Sequence, residues 1–282
     1  MIKESLFAAA LLAAAAGVTG CFRQRAPERP VTAKSLAAAV TLKSTVQTLN
    51  LAGTSMASIP QECAEMPKLA TLELRGAKGL SNFTVLAKLK GVKVLDLSEI
   101  SLKQIPREVF SLSSLEQLYL SLSDIRILPD AIGSLSRLSY LNLDRNGLTL
   151  LPDSIGKLNE LRWLRLNQNR LSTLPDTLKA CKKLQRVYLG ENRLQSVPEG
   201  LKDLPLLEDI QLSGNPIKEI PQWVTALPKL RQIDLNRCSV SRLPEDLSGL
   251  KGLQVLSLVK CPIPEAEKRR IREALPKTHI MF

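Results

Sequence analysis

The stretch Leu161–Lys183, LRWLRLNQNRLSTLPDTLKACKK, sets the register of the whole chain. Leu161, Leu164 and Leu166 open it, Asn169 and Leu171 follow, and a Leu174-Pro175 pair leads into a short apolar return segment. Moved by 23 residues in either direction the pattern reappears, as Leu138, Leu141, Leu143 and Asn146 before it and Leu184, Val187, Leu189 and Asn192 after it. Ten starts share the register without a slip: Val46, Leu69, Val92, Leu115, Leu138, Leu161, Leu184, Leu207, Leu230 and Leu253. Period-two alternation across Leu161–Leu166 predicts a short strand with its leucines on one side and Arg162, Trp163 and Arg165 facing solvent. Pro175 is tolerated because the chain is there leaving the sheet and owes no ladder donor. The same apolar-Pro pair stands at Ile59, Ile105, Leu128, Leu151, Val197, Ile220 and Leu243. Return legs such as Ile132 with Leu135, or Ile155 with Leu158, predict a 3-10 turn or short helix on the outer side. One unit of this size cannot bury its own leucines, so the units must stack. A narrow strand layer inside and a wider return layer outside force the stack to curve.

This L-x-x-L-x-L-x-x-N-x-L register resembles the leucine-rich repeat family, and the chain as a whole looks like a bacterial leucine-rich repeat lipoprotein. The resemblance implies an α/β solenoid: a leucine-rich repeat horseshoe with a concave parallel β-sheet and about ten repeats, over residues 46–261. It also implies that Asn146, Asn169, Asn192 and Asn215 stack as a ladder, their side chains bonding backbone groups of the bend that would otherwise be buried without partners. Repeats one to three carry Thr54, Ala77 and Ile100 in that place; Thr54 can still bond locally, whereas the other two cannot. Repeat two also lacks the apolar-Pro pair, and its Leu80, Phe83, Leu86 and Leu89 at three-residue spacing suit a helical return leg. Repeats nine and ten have Cys238 and Cys261, which adjacent coils bring within disulfide range. Export would permit oxidation, while the parallel direction of the ladder side chains favours two thiols. Cys63 and Cys181 fall on return-leg core positions and are expected to be inert.

Upstream, Met1–Gly20 reads as a secretory signal, with Lys3 before an alanine-rich apolar run too short to span a bilayer comfortably. Val18-Thr19-Gly20-Cys21 resembles the bacterial lipobox, which implies a lipid on Cys21; an ordinary secretion signal with an incidental cysteine is the alternative. Phe22 rather than Asp follows, which resembles outer-membrane cargo, so a lipid-anchored place in the bacterial cell envelope is expected. No later apolar run is long enough for a transmembrane helix, leaving Cys21 as the expected membrane attachment. Residues 21–31 are polar, basic and proline-bearing, a flexible tether. Over 32–45 a capping helix is expected, with Thr32 as N-cap and Leu36 and Val40 on the face that covers the first coil. At the other end, residues 262–282 form the closing cap. There Pro264–Leu275 reads as a helix with its charges placed as the dipole prefers, and Thr278–Phe282 as a last strand. Arg269, Arg270 and Arg272 are expected on its solvated face, and no further domain is expected beyond it.

Composition bounds the function. The chain has 282 residues, 44% apolar and 4% aromatic, so leucine rather than ring volume fills the interior. A net charge of +12 is compatible with polyanion partners or with a solvated basic surface, and the interspersed acids favour the latter. Five cysteines, an odd number, argue against a disulfide framework. Enzyme chemistry fails on inventory: the single histidine is His279 in the closing strand, and there is no HExxH, no Gly-rich phosphate loop and no clustered Cys/His set. No cofactor, metal or nucleic-acid partner is expected, and the protein is read as a monomer.

The concave face is the informative surface. Residues two places after each start form one column, Gln117, Tyr140, Trp163, Arg186 and Asp209. A second, four places after, holds Tyr119, Asn142, Arg165, Tyr188 and Gln211. All three tyrosines and one of the two tryptophans fall in these columns. Tyr, Trp and Arg dominate binding hot spots because they combine rigid area with a polar tip, so Tyr119, Tyr140, Asn142, Trp163, Arg165, Arg186, Tyr188 and Gln211 are the candidate ligand-binding set. Cross-strand packing is the competing explanation. Trp223, on a return leg, is read as a surface residue. The expected activity is non-catalytic recognition of a protein or peptide partner, with an anionic glycan or lipid head group, or a passive structural role, as alternatives.

Overall fold

The computed structural model describes residues 30–282. The expected signal peptide, Cys21 and the tether up to residue 29 lie outside the described residues.

Ten three-residue strands follow the ten repeat starts: β2 (Thr48–Asn50), β3 (Thr71–Glu73), β4 (Val94–Asp96), β5 (Gln117–Tyr119), β6 (Tyr140–Asn142), β7 (Trp163–Arg165), β8 (Arg186–Tyr188), β9 (Asp209–Gln211), β10 (Gln232–Asp234) and β11 (Val255–Ser257). β1 (Thr32–Ala33) precedes them and β12 (His279–Met281) closes the series. All twelve lie side by side in sequence order as one sheet, and every pairing is parallel. Within each of β2 to β11 the middle residue is buried and its neighbours are mostly half-exposed, the alternation expected of a sheet with one face on a core. Leucines in the first, fourth and sixth places of the repeat form that core; Leu161, Leu164 and Leu166 have no exposure. The parallel register stacks each residue on its counterpart in the next coil, as Trp163 on Arg186. The leucine-rich solenoid and its concave parallel sheet are therefore as expected.

Past the strands the backbone turns through a dry bend, and the ladder resolves its unpaired groups. Asn169 Nδ2 donates to Leu143 O at 2.9 Å and to Leu166 O at 3.0 Å, while its Oδ1 accepts the Leu148 N–H at 3.1 Å. One amide thus serves two coils. Asn146, Asn192 and Asn215 repeat the arrangement. Ser123 stands in for the Asn in the fourth repeat, its Oγ donating to Leu97 O at 3.1 Å. Cys238 and Cys261 donate to Leu212 O and Leu235 O, reaching the same kind of carbonyl as the amides do. Both are free thiols, and burial pushes Cys238 up to about 11, so they are poor nucleophiles. Thr54 bonds locally to Leu51 O at 2.7 Å.

The residue just before the ladder position is left-handed in all ten repeats. It is glycine at Gly53, Gly76 and Gly214, with φ of 71°, 64° and 70°, but a side-chain-bearing residue elsewhere, such as Gln168 at 55°. Such a conformation costs roughly 1–2 kcal/mol for an L-residue, and at Leu122, Arg145, Gln168, Glu191, Arg237 and Lys260 a bonded ladder side chain follows directly. Nine repeats return through a 3-10 segment, from Gln61–Glu65 to Ser248–Leu250. Glycine lets these legs approach closely: a Cβ on Gly156 would stand 2.4 Å from the Thr177 carbonyl oxygen of the next leg.

The two caps differ in detail from expectation. Thr32 is not an N-cap; it pairs with Thr48 in the sheet. The capping residue is Ser35, whose Oγ accepts the Ala38 N–H at 3.2 Å and starts α1 (Leu36–Thr41). Ala39, not Val40, is the buried contact, and Val40 is 44% exposed. At the far end, α2 (Glu265–Ala274) replaces the return leg of the tenth repeat. Arg270 is not solvated as expected. It donates to the carbonyls of Leu243, Pro244 and Glu245 and pairs with Glu267 at 2.7 Å, while Glu267 Oε1 accepts the Leu243 N–H. This clamp fastens the helix to the ninth repeat. Arg272 lies 4.8 Å from the Phe282 ring centroid. Among the described residues no helix is long and apolar enough to cross a membrane.

Two outcomes follow. Asn169→Leu leaves the Leu148 N–H without its acceptor, at about 1–3 kcal/mol, and takes one of two ladder donors from each of the Leu143 and Leu166 carbonyls, which keep Asn146 and Asn192; the denaturation midpoint should fall, and an unmoved midpoint would show that the ladder does not hold the bend. The Glu267 carboxyl is held below its ordinary value, chiefly by the Arg270 hydrogen bond. Its stabilisation is thus complete above the ordinary Glu value, about 4.3, and is lost as pH falls through the folded value. Melting curves of wild type and Glu267→Gln should differ at neutral pH and converge in acid; a gap that persists in acid contradicts the clamp.

Candidate functional site

The sheet brings the two columns together in the order read from the sequence. Register pairs Tyr140 with Trp163, Trp163 with Arg186, and Arg186 with Asp209. It also runs Tyr119, Asn142, Arg165, Tyr188 and Gln211 across five successive strands. The side chains do more than lie in columns. Tyr119 and Tyr140 have ring centroids 4.8 Å apart, and Tyr140 and Trp163 are 5.8 Å apart. The Arg186 guanidinium sits 4.6 Å above the Trp163 ring, and Arg165 sits 5.3 Å from Tyr188. A continuous stack therefore crosses β5 to β8. Each contact is on the scale of about 0.5–1.5 kcal/mol.

Polar bonds fix the rims of the stack. Tyr119 donates its hydroxyl to Gln117 Oε1 at 3.0 Å, and Tyr188 donates to Asp209 Oδ2 at 3.1 Å. The Arg165 Nε donates to Asp144 Oδ2 at 2.8 Å, in an ion pair whose side chains are 27% and 11% exposed. Asn142 is less free than its column position suggested, since its Oδ1 accepts the Asp144 N–H at 2.9 Å and closes the turn after β6. Burial is the main cause raising all three phenols: Tyr140 is pushed up to about 12, and Tyr119 and Tyr188 also move up. Asp209 is raised too, chiefly by burial, against the pull of the Tyr188 hydroxyl and Arg186.

Beside the stack, past the carboxyl ends of the central strands, lies an open polar hollow of about 250 Å³. Arg165 and Gln211 from the columns reach it, joined by Asp144, Asn167, Gly190 and Ser213 from the sixth place after each start. That sixth place was missed in the sequence. Its signal was present as a recurrence of small polar residues, Ser98, Ser121, Asp144, Asn167, Ser213 and Asn236, in a fixed register. Trp223 is also more than a surface residue: it packs partly buried against the core, and its Nε1 donates to Glu199 Oε1 at 2.7 Å. Among the described residues no group of three or more His, Cys, Asp or Glu is placed to hold a metal ion.

Because the chain has three tyrosines and all lie in the patch, alkaline ultraviolet titration reads this surface alone. The phenolate signal should begin above the ordinary tyrosine value of about 10, and Trp163→Ala should bring part of it back down by opening one face of Tyr140. Ordinary titration of all three phenols in the folded protein would show that the stack is not packed.

The leucine-rich repeat region family model matches residues 77–186 and 130–217, which together span half of the 282-residue chain. No curated protein matches in sequence. Solved structures do. A leucine-rich repeat protein of Leptospira interrogans is 28% identical with a TM-score of 0.57, over 87% of this chain and 74% of that one. An internalin of Listeria monocytogenes, 21% identical, superposes with a TM-score of 0.71 over 88% of this chain and 70% of its own, a likeness of fold. A plant peptide hormone receptor, RGFR1, solved in complex with RGF2, is 25% identical with a TM-score of 0.68 over 90% of this chain; the chain spans 42% of that receptor. With the ten-coil register, the ladder and the family match in agreement, the chain belongs to the leucine-rich repeat family.

Proposed function

We propose that this chain is a non-catalytic binding protein that takes a protein or peptide partner on its concave face, carried at the bacterial cell envelope by a lipid on Cys21. The observation that carries the reading is the unbroken Tyr119–Tyr140–Trp163–Arg186 stack on an otherwise polar sheet. Rings and guanidinium are held in place before any partner arrives, so little side-chain freedom is lost on binding. Their exposed edges offer the apolar area and polar tips that anchor an interface. The plant receptor of the same fold was solved with RGF2, which supports a polypeptide as the kind of partner. The anchor rests on the Val18-Thr19-Gly20-Cys21 sequence following an apolar run, with one lipidated residue as the membrane attachment.

Capture from cell envelope with wild-type and Trp163→Ala protein tests the recognition surface. Trp163 points away from the leucine core and is half-buried, so its removal leaves no cavity and should cost about 1 kcal/mol of stability. Loss of a central anchor costs about 2 kcal/mol or more in binding, so the partner should bind at least tenfold more weakly while the melting curve barely moves. Binding that ignores Trp163→Ala and falls steeply with salt would replace the polypeptide with an anionic glycan or lipid head group. For the anchor, Cys21→Ser should abolish partition into detergent; unchanged partition would remove the lipid from the reading.

A further inference from the structure

A second ladder runs through the sixth place of the repeats, and it is open at two rungs. The N–H of that residue points along the sheet edge and needs an acceptor. In four repeats the acceptor is the side chain two residues earlier in the same coil: Asn50 for Ala52, Asp96 for Ser98, Asn142 for Asp144 and Asp234 for Asn236. In four others it comes from the sixth place of the preceding coil. Ser98 Oγ accepts the Ser121 N–H at 3.3 Å, Asp144 Oδ1 the Asn167 N–H at 2.7 Å, Asn167 Oδ1 the Gly190 N–H at 2.8 Å, and Asn236 Oδ1 the Val259 N–H at 2.7 Å. Arg75 and Ser213 receive neither kind of bond. Before Arg75 stands the methyl group of Ala52; before Ser213 stands Gly190, which has no side chain at all.

At Gly190 the acceptor is missing because the residue has no side chain. The glycine does not have a left-handed φ, so the backbone there would accept a side chain as Asp144 and Asn167 do. A Cβ placed on it would stand 3.1 Å from Asn167 Oδ1 and 3.2 Å from Ser213 Oγ, which is close to the neighbouring rungs but clear of backbone atoms under 3.4 Å. The vacancy opens into the polar hollow, whose lining also includes Gln211, and the Gln211 side-chain amide makes no hydrogen bond to the described residues. Charges around the hollow balance, Asp144 and Glu191 against Arg145 and Arg165; Arg165 pairs with Asp144, and Glu191 with Arg237 beyond the lining. A balanced lining gives a carboxylate no net attraction. It suits a neutral group that presents an acceptor to the Ser213 N–H and a donor to the Gln211 amide oxygen.

We propose that the Gly190 vacancy is a side-chain subsite: it takes the carboxamide of an asparagine from the partner polypeptide, which completes the ladder in place of the absent rung. The subsite rests on the reading of the concave face as a polypeptide-binding surface, and it gives that surface a polar specificity element next to the aromatic stack. Side-chain amides satisfy the equivalent N–H at Gly190 and Val259 within the protein itself, so the partner would supply chemistry the fold already uses.

The test needs no identified partner and uses the full chain. N-acetyl-asparagine methylamide is titrated while backbone amide resonances are followed by NMR, with N-acetyl-alanine methylamide and N-acetyl-aspartate methylamide as comparisons. The Ser213 amide should shift saturably with the asparagine probe, more than with either comparison. Gly190→Asn should fill the rung from within, slowing Ser213 amide exchange by about tenfold or more and abolishing the probe-induced shift without lowering the melting temperature. The proposal is overturned if the alanine probe moves Ser213 as much as the asparagine probe, if the aspartate probe binds more tightly, or if Gly190→Asn leaves Ser213 exchange unchanged in a folded protein. Failure here with a positive Trp163→Ala result removes the subsite and keeps the binding face. Failure of Trp163→Ala alone removes the face while the carboxamide contact is read separately at Ser213.

Discussion

Every coil of this molecule has to turn a strand back on itself inside a leucine core, and the polar backbone of that turn cannot reach water. The side chain eight places after the repeat start meets that constraint in every coil except those of Ala77 and Ile100. Asn169 bonds carbonyls of its own coil and of the preceding one and accepts an N–H from the preceding coil. Because one amide joins two coils, the bend of one repeat is stable only when its neighbour is present. This gives the solenoid its nearest-neighbour cooperativity. A bonded ladder side chain follows six of the seven non-glycine residues that are left-handed just before the ladder position, a conformation they would not adopt alone.

Substitutions in the ladder show which part of the asparagine the fold requires. Ser123, Cys238 and Cys261 each donate to the carbonyl of the previous coil, and none supplies the acceptor that Asn uses for the other direction. They stand in the fourth, ninth and tenth repeats, while the four full asparagines occupy the fifth to eighth. The best-bonded coils therefore include those that carry Trp163, Arg165, Arg186, Tyr188 and Gln211. A recognition surface gains from being placed where the backbone is most fully specified, since positions there are held to tighter tolerances.

The fold was legible because its cause is periodic. A 23-residue register repeated ten times leaves no freedom in strand order, and parallel stacking then dictates that Tyr140, Trp163 and Arg186 are neighbours. What was not legible depends on contacts the period does not encode. Thr32 looked like a helix cap, but a strand partner in β2 was available to it and Ser35 capped the helix instead. Arg270 looked like part of a solvated charge run, because sequence alone does not show three carbonyls of the ninth repeat turned towards it. Trp223 sits on a leg that is exposed in pattern yet broad enough for an indole to reach both core and Glu199. The sixth-place ladder was periodic in the sequence but chemically mixed, Ser, Asp, Asn and Gly, and was hidden by looking for one residue type.

On the proposed reading, packing and recognition compete for the same side chains of the concave patch. Arg186 covers one face of Trp163, and Tyr119 and Trp163 flank Tyr140 from two sides, so the flat faces are already spent within the protein. Edges and polar tips remain for a partner. A ligand that needed to insert between rings would have to break contacts of about 0.5–1.5 kcal/mol each, whereas one lying across the ring edges breaks none. An extended chain crossing the strands fits that condition. It would meet the stack along one line and the polar hollow along its side, with apolar contact and hydrogen bonding supplied by separate elements of one rigid sheet.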